Sequence, residues 1–201
     1  MPLVAILRGV RPDEIVGIAD ALVEAGFAMI EVPLNSPEAL RSIATIAGRY
    51  GPETVIGAGT VLTQGEVGAV IEAGGRLIVS PNVNLGVISR AKSHGALALP
   101  GYATPTEAFA ALEAGADGLK LFPAEAANPA VLKAHRAVFP ADMPVLAVGG
   151  VTPETLSAWL EGGADGAGLG SALYKPGRTA ADVGECGARF VAAVLSYRER
   201  T

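Results

Sequence analysis

Short apolar runs rich in β-branched residues alternate along the chain with longer segments in which apolar positions recur every three or four residues. The short runs stop at Gly, Pro or Asn. This pattern predicts strands near Val4–Leu7, Ala28–Val32, Thr54–Gly57, Leu77–Ser80, Ala96–Leu99, Gly118–Phe122, Val145–Val148 and Gly166–Leu169. It predicts helices near Pro12–Ala25, Pro37–Arg49, Gln64–Ala73, Leu85–Ser93, Pro105–Ala114, Pro129–Val138, Pro153–Glu161 and Ala180–Tyr197.

The punctuation between these elements is regular. Ser36-Pro37, Thr104-Pro105 and Thr152-Pro153 each place a capping hydroxyl before a proline at a first helical position. Glu24-Ala25-Gly26, Glu72-Ala73-Gly74, Glu113-Ala114-Gly115 and Glu161-Gly162-Gly163 each end a helix where a left-handed residue is needed. They close the first, third, fifth and seventh helices, as a β/α unit doubled and redoubled would. Eight such units without a break in composition predict one domain over residues 1–201, a closed (β/α)8 TIM barrel in its short form. A doubly wound open sheet is the competing fold. The run Gly166-Ala167-Gly168-Leu169-Gly170-Ser171 has a glycine-rich look, but it stands in the last unit and lacks the spacing of a dinucleotide fingerprint.

Composition narrows the partners. Of the 201 residues, 50% are hydrophobic and 17% charged, which describes a packed globular chain. The net charge of −5 argues against nucleic acid as the main partner, since phosphate backbones select basic surfaces. No apolar run is long enough to span a bilayer, and Arg8 interrupts the first ten residues too early for a secretory signal. The single cysteine, Cys186, excludes an intrachain disulfide and fits a reducing compartment. A cytoplasmic protein with no membrane partner is expected. His94 and His135 fall in helical stretches as surface or packing residues, so no metal site and no cofactor are expected.

Chemistry in a barrel belongs at the C-terminal ends of the strands. Side chains alternate along a strand, so if Leu119 and Leu121 face the helices, Lys120 and Phe122 face the barrel axis. The same parity sends Glu31 inward. Arg8 ends the first strand, and Thr60 lies just beyond the third. Taken singly, each has a structural explanation: Lys120 and Glu31 as an ion pair, Arg8 as a rim residue. Together they converge on one face. A desolvated lysine becomes a neutral amine, a nucleophile toward carbonyls, and a nearby carboxylate can shuttle its protons. Arg8 with Thr60 would hold a substrate carboxylate. Glycines follow the seventh and eighth strands, in Val148-Gly149-Gly150-Val151 and Gly168-Leu169-Gly170-Ser171, the two loops that commonly bind phosphate in such barrels. The expected substrate is a phosphorylated carbonyl acid. Phe122, Pro81 and Pro100 read as pocket walls or, equally well, as purely structural residues.

Ile6–Gly9 (ILRG), Glu31–Pro37 (EVPLNSP), Gly57–Leu62 (GAGTVL), Ser80–Asn82 (SPN), Pro100–Glu107 (PGYATPTE), Leu119–Glu125 (LKLFPAE) and Val148–Glu154 (VGGVTPE) resemble, in order and over nearly the whole chain, the 2-keto-3-deoxy-6-phosphogluconate/galactonate aldolase family. The resemblance implies a class I aldolase on a (β/α)8 barrel, usually trimeric, that releases pyruvate and glyceraldehyde 3-phosphate. Position by position, Lys120 resembles the Schiff-base lysine, Glu31 the general acid/base and Thr60 the pyruvate-contacting threonine. Gly149, Gly150, Gly170 and Ser171 match the phosphate loops. Asn35 stands where the gluconate branch has its carboxylate-binding arginine, and Arg8 looks like the replacement used in the galactonate branch. Val148 stands where the gluconate branch usually has threonine, near the hydroxyl whose configuration separates the two sugars. The galactonate branch is therefore favoured, with a gluconate or dual-epimer aldolase as the alternative. The extra N-terminal helix of many relatives has no counterpart before the first strand, so one barrel end is expected to be closed by something else, such as a neighbouring subunit. Without the resemblance, a phosphosugar epimerase using Glu31 as base, and a non-catalytic barrel that binds a phosphorylated acid, remain open, because a fold does not choose its chemistry.

Overall fold

The computed structural model describes residues 3–50 and 52–200. Its first half runs β1 (Leu3–Ile6), α1 (Ile15–Glu24), β2 (Met29–Pro33), α2 (Ala39–Ala47), β3 (Val55–Gly59), α3 (Gln64–Glu72), β4 (Leu77–Val79), α4 (Leu85–Ser93) and β5 (Leu97–Leu99). Its second half runs β6 (Gly101–Tyr102), α5 (Pro105–Glu113), β7 (Leu119–Leu121), α6 (Pro129–Arg136), β8 (Val145–Val148), α7 (Pro153–Glu161), β9 (Gly166–Leu169) and α8 (Ala180–Arg198). A short 3-10 turn, Ala124–Ala126, follows β7.

The strands pair in the order β5-β4-β3-β2-β1-β9-β8-β7-β6, all in parallel. Pro100 parts β5 from β6, because it has no N–H for a ladder bond. The two pieces are one barrel strand. β5 pairs with β4 and β6 with β7, while the Asp117 and Lys120 N–H groups donate to the Ala98 and Pro100 carbonyls at 3.1 and 3.0 Å. The sheet thereby closes into a (β/α)8 barrel. The glycine-rich run of the last unit lies in β9 and the loop after it, inside this barrel, and the open-sheet alternative falls away.

Strand parity divides the core as expected. Ala5, Leu7, Ile30, Val32, Leu119 and Leu121 pack outward under the helices. Val4, Ile6, Leu77, Val79, Leu99 and Leu146 fill the barrel, with Val148 and Phe122 packed against them. The expected glycines Gly26, Gly74, Gly115 and Gly163 do lie at positive φ, between 84° and 101°. His135 packs under α6 against Tyr102 and Phe139, and His94 is the exposed C-cap of α4.

One start signal reads differently in three dimensions. Thr104 and Thr152 form capping boxes, with Glu107 and Thr155 respectively. Ser36 does not cap α2. That helix begins at Ala39 after Glu38, whose φ is 43°, and Ser36 Oγ instead accepts the Gly9 N–H at 2.9 Å. Ser36 thus ties the loop after β2 to the loop after β1.

At the other end of the barrel, Leu3, Ala28 and Met29 share an open cavity of about 180 Å³ with Val191, Val194 and Leu195 of α8. The later part of the long last helix therefore lies beside the starts of β1 and β2. Among the described residues, no helix is long and apolar enough to cross a membrane.

Because the Thr104 cap satisfies helix-end N–H groups that otherwise lack a partner, Thr104→Ala is expected to lower stability by about 1 kcal/mol. Urea denaturation of the variant checks this. Ser36→Ala should leave the start of α2 intact and loosen the contact to Gly9, visible as faster amide exchange at Gly9.

Candidate active site

The inward parity of β2 and β7 carries Glu31 and Lys120 into the dry end of the barrel. They are 1% and 6% exposed, respectively. They share a void of only about 10 Å³ with Val4, Ile6, Val79 and Leu146. Gly59 makes this possible, since a Cβ there would stand 1.9 Å from Glu31 Oε2. Among the described residues Glu31 Oε2 has no hydrogen-bond partner, and the two side chains form no ion pair with each other. The structural explanation of Lys120 and Glu31 as a salt bridge therefore does not hold. Lys120 Nζ instead lies 4.5 Å from the Phe122 ring centroid.

Burial decides their protonation. It pushes the Glu31 carboxyl up to about 7, against the opposing pull of Lys120 and Arg8. It holds Lys120 below the ordinary lysine range, with the charge of Arg8 adding to the effect and Glu31 opposing it. An amine that burial favours in its neutral form stands beside a carboxyl able to exchange protons near neutral pH.

Arg8, Asn35 and Thr60 meet at the rim. Arg8 Nη1 donates to Asn35 Oδ1 at 2.7 Å, and Nη2 to Thr60 Oγ1 at a long 3.5 Å. Asn35 thus orients the guanidinium from the position at which an arginine was expected in the other branch. Thr60 has a φ of 57°, a left-handed conformation that costs a side-chain-bearing residue roughly 1–2 kcal/mol. A β-branched residue held there marks a site where side-chain placement outweighs backbone preference.

A cavity of about 570 Å³ opens above Lys120. Arg8, Phe122 and Val148 line its inner part, and Gly149, Gly150, Gly170 and Ser171 its outer part. Glu31 lines the smaller void below, which Lys120, Ile6, Val148 and Gly168 border in common with this cavity. Pro81 and Pro100 do not line the cavity, contrary to the expectation from sequence: Pro100 is buried in the barrel wall where it splits a strand.

The sequence reading missed Glu125, Lys175 and Arg178, which also line the cavity. Glu125 explains part of the glycine pair, since Cβ atoms on Gly149 and Gly150 would meet its side chain at 2.7 and 2.6 Å. Its place in the motif LKLFPAE was the available signal. Lys175 and Arg178 lie beyond the last quoted motif, in a turn with no periodic pattern. Among the described residues, no three His, Cys, Asp or Glu side chains gather as metal ligands would.

The family model for KDPG and KHG aldolases matches residues 1–188. The 2-dehydro-3-deoxy-6-phosphogalactonate aldolase of Escherichia coli is 50% identical over 199 residues, covering 99% of this chain and 96% of that protein. A probable 2-dehydro-3-deoxy-6-phosphogalactonate aldolase of Rhizobium meliloti is 48% identical, covering 98% and 91%. The solved native KDPGal structure superposes with a TM-score of 0.97 at 48% identity, covering 99% of this chain and 97% of that one. A family match over most of its length, joined to a buried, unpaired lysine at the strand ends of a (β/α)8 barrel, means that the chain belongs to the KDPG and KHG aldolase family.

Proposed function

We propose that the chain is a class I aldolase that cleaves 2-dehydro-3-deoxy-6-phosphogalactonate to pyruvate and glyceraldehyde 3-phosphate. One observation carries this reading: Lys120 is buried without a salt-bridge partner at the floor of the cavity, in surroundings that favour its neutral, nucleophilic form. Arg8, oriented by Asn35, and Thr60 hold the keto acid's carboxylate. The Lys120 amine attacks C2 to give a carbinolamine. Glu31 moves the protons that let water leave and the protonated imine form. Glu31 then takes the proton of the C4 hydroxyl as the C3–C4 bond breaks, and the bonding electrons pass into the imine to give an enamine. The aldehyde departs, C3 is protonated, and water releases pyruvate from Lys120.

At the other end of the substrate, the N–H groups around Gly149, Gly150 and Gly170, with Ser171, receive the phosphate. Apolar Val148 lines the path between the two ends and supports the galactonate epimer. The reading needs no cofactor. It sets the enzyme in the cytoplasm as a homotrimer, and the exposed side chains of Leu62 and Leu85, adjoining through the Asn84–Leu62 hydrogen bond, offer apolar surface for subunit contact. Light scattering at the mass of three chains is the expected result.

Borohydride reduction in the presence of pyruvate should leave a pyruvate-sized adduct on Lys120, located by peptide mass spectrometry. Lys120→Ala should abolish turnover. Folded protein with no adduct, or near-normal turnover in that variant, would reject the Schiff base and favour an epimerase. The specificity constant should be higher for the galactonate than for the gluconate epimer.

Glu31 leads to two pH effects of opposite direction. As the base in bond cleavage it must be ionised, so kcat/KM should rise as pH climbs through about 7. Glu31→Gln should be strongly slowed and lose that limb. For stability, the folded state holds the proton more tightly than the unfolded chain does. The contribution is therefore full below the ordinary value of 4.5 and lost as pH rises through about 7. Glu31→Gln should gain up to about 3 kcal/mol over the parent at pH 8 and nothing at pH 4.5. Urea denaturation at both pH values measures the difference.

A further inference from the structure

The outer end of the cavity carries more charge than glycine loops and a serine supply. Between β9 and α8, Leu173–Arg178 turn along its rim, and Lys175 and Arg178 border the same space as Gly149, Gly150 and Ser171. Three contacts fix this turn. Pro176 packs against Gly9, where a Cβ would lie 2.9 Å from Pro176 Cγ. The hydroxyl of Tyr174, itself 2% exposed, donates to Glu14 Oε1 at 2.9 Å. Arg178 Nη1 donates to the carbonyls of Ala172 and Leu173, each at 2.8 Å.

Those bonds hold the guanidinium by one nitrogen, and Nε and Nη2 make no hydrogen bond among the described residues. The Lys175 side chain is exposed and makes neither a hydrogen bond nor an ion pair among them, while the Lys175 carbonyl accepts the Arg178 N–H at 3.1 Å. A chain with a net charge of −5 therefore gathers Arg8, Lys175 and Arg178 around one cavity, against the single lining carboxylate, Glu125. Backbone N–H groups orient a phosphate with partial charges only. A dianion leaving water beside Glu125 needs full positive charges to balance it.

We propose that Lys175 and Arg178 are specificity-determining residues that neutralise the substrate's phosphate and so select a phosphate monoester over the same keto acid without its phosphate. This inference rests on the aldolase reading above. Arg178 is the fixed half of the pair. Lys175, on a flexible stem, closes over the bound group. Glu125, packed against Gly149 and Gly150, opposes an anion there and sharpens the requirement for both cations.

The test compares specificity constants for 2-dehydro-3-deoxy-6-phosphogalactonate and for unphosphorylated 2-dehydro-3-deoxygalactonate. Lys175→Met is the informative variant, since the Lys175 side chain makes no bond that holds the turn, whereas that of Arg178 does. Lys133→Met, on the exposed face of α6, removes the same charge away from the cavity. The preference for the phosphorylated substrate should fall about tenfold in Lys175→Met, mainly through KM, and stay at the parent value in Lys133→Met. Added salt should lower the preference in the parent and much less in Lys175→Met. Glu125→Gln should shift the preference upward. An unchanged preference in Lys175→Met, or an equal fall in Lys133→Met, overturns the assignment. Calorimetric binding of inorganic phosphate needs no turnover and should weaken by a similar factor in Lys175→Met. Equal phosphate affinity there overturns the inference even in a protein that cleaves neither substrate, whereas absent cleavage with weakened phosphate binding overturns only the aldolase reading.

Discussion

Desolvation of two ionisable side chains at one end of the barrel is the constraint on which the rest depends. Glu31 and Lys120 stand among Val4, Ile6, Val79 and Leu146 with no salt bridge between them. A salt bridge would have locked both in their charged forms. Its absence leaves burial as the leading influence, which holds the amine toward neutrality and the carboxyl near 7.

The fold makes room for this arrangement by omission as much as by placement. Gly59 leaves the space that Glu31 fills, and Pro100 interrupts a strand at the level where Lys120 bonds to its carbonyl. The loops above are tied to one another. Ser36 accepts from Gly9, Pro176 rests on Gly9, and Tyr174 reaches Glu14. The segment carrying Arg8 is thus fastened to the segment carrying Ser171 and Lys175. The distance between Arg8 and Ser171 is set by packing between loops and not by any one loop's own conformation.

Much of this was legible beforehand. Alternating apolar runs and helical periods were enough for the barrel, and the parity of Leu119-Lys120-Leu121 was enough to turn Lys120 inward, because side-chain direction on a strand is a local property. The Thr104 and Thr152 caps were legible for the same reason. Ser36 has the same local signature and serves a different partner, twenty-seven positions away in the chain. Its hydroxyl found the Gly9 N–H, and no window around Ser36 contains that donor. Pro81 was expected in the pocket wall and does not border the cavity.

The sequence by itself determined the alternation of elements, the inward direction of Glu31 and Lys120, and the glycines that let loops turn, since each of these follows from neighbours a few residues apart. Tertiary structure alone decided that the lysine and the glutamate stay unpaired, that Asn35 steers Arg8, and that Glu125, Lys175 and Arg178 share one cavity with the glycine loops. Those outcomes depend on distances between segments remote in the chain. Barrel closure sets such distances, and electrostatic energy changes steeply with them, so no local pattern contains them.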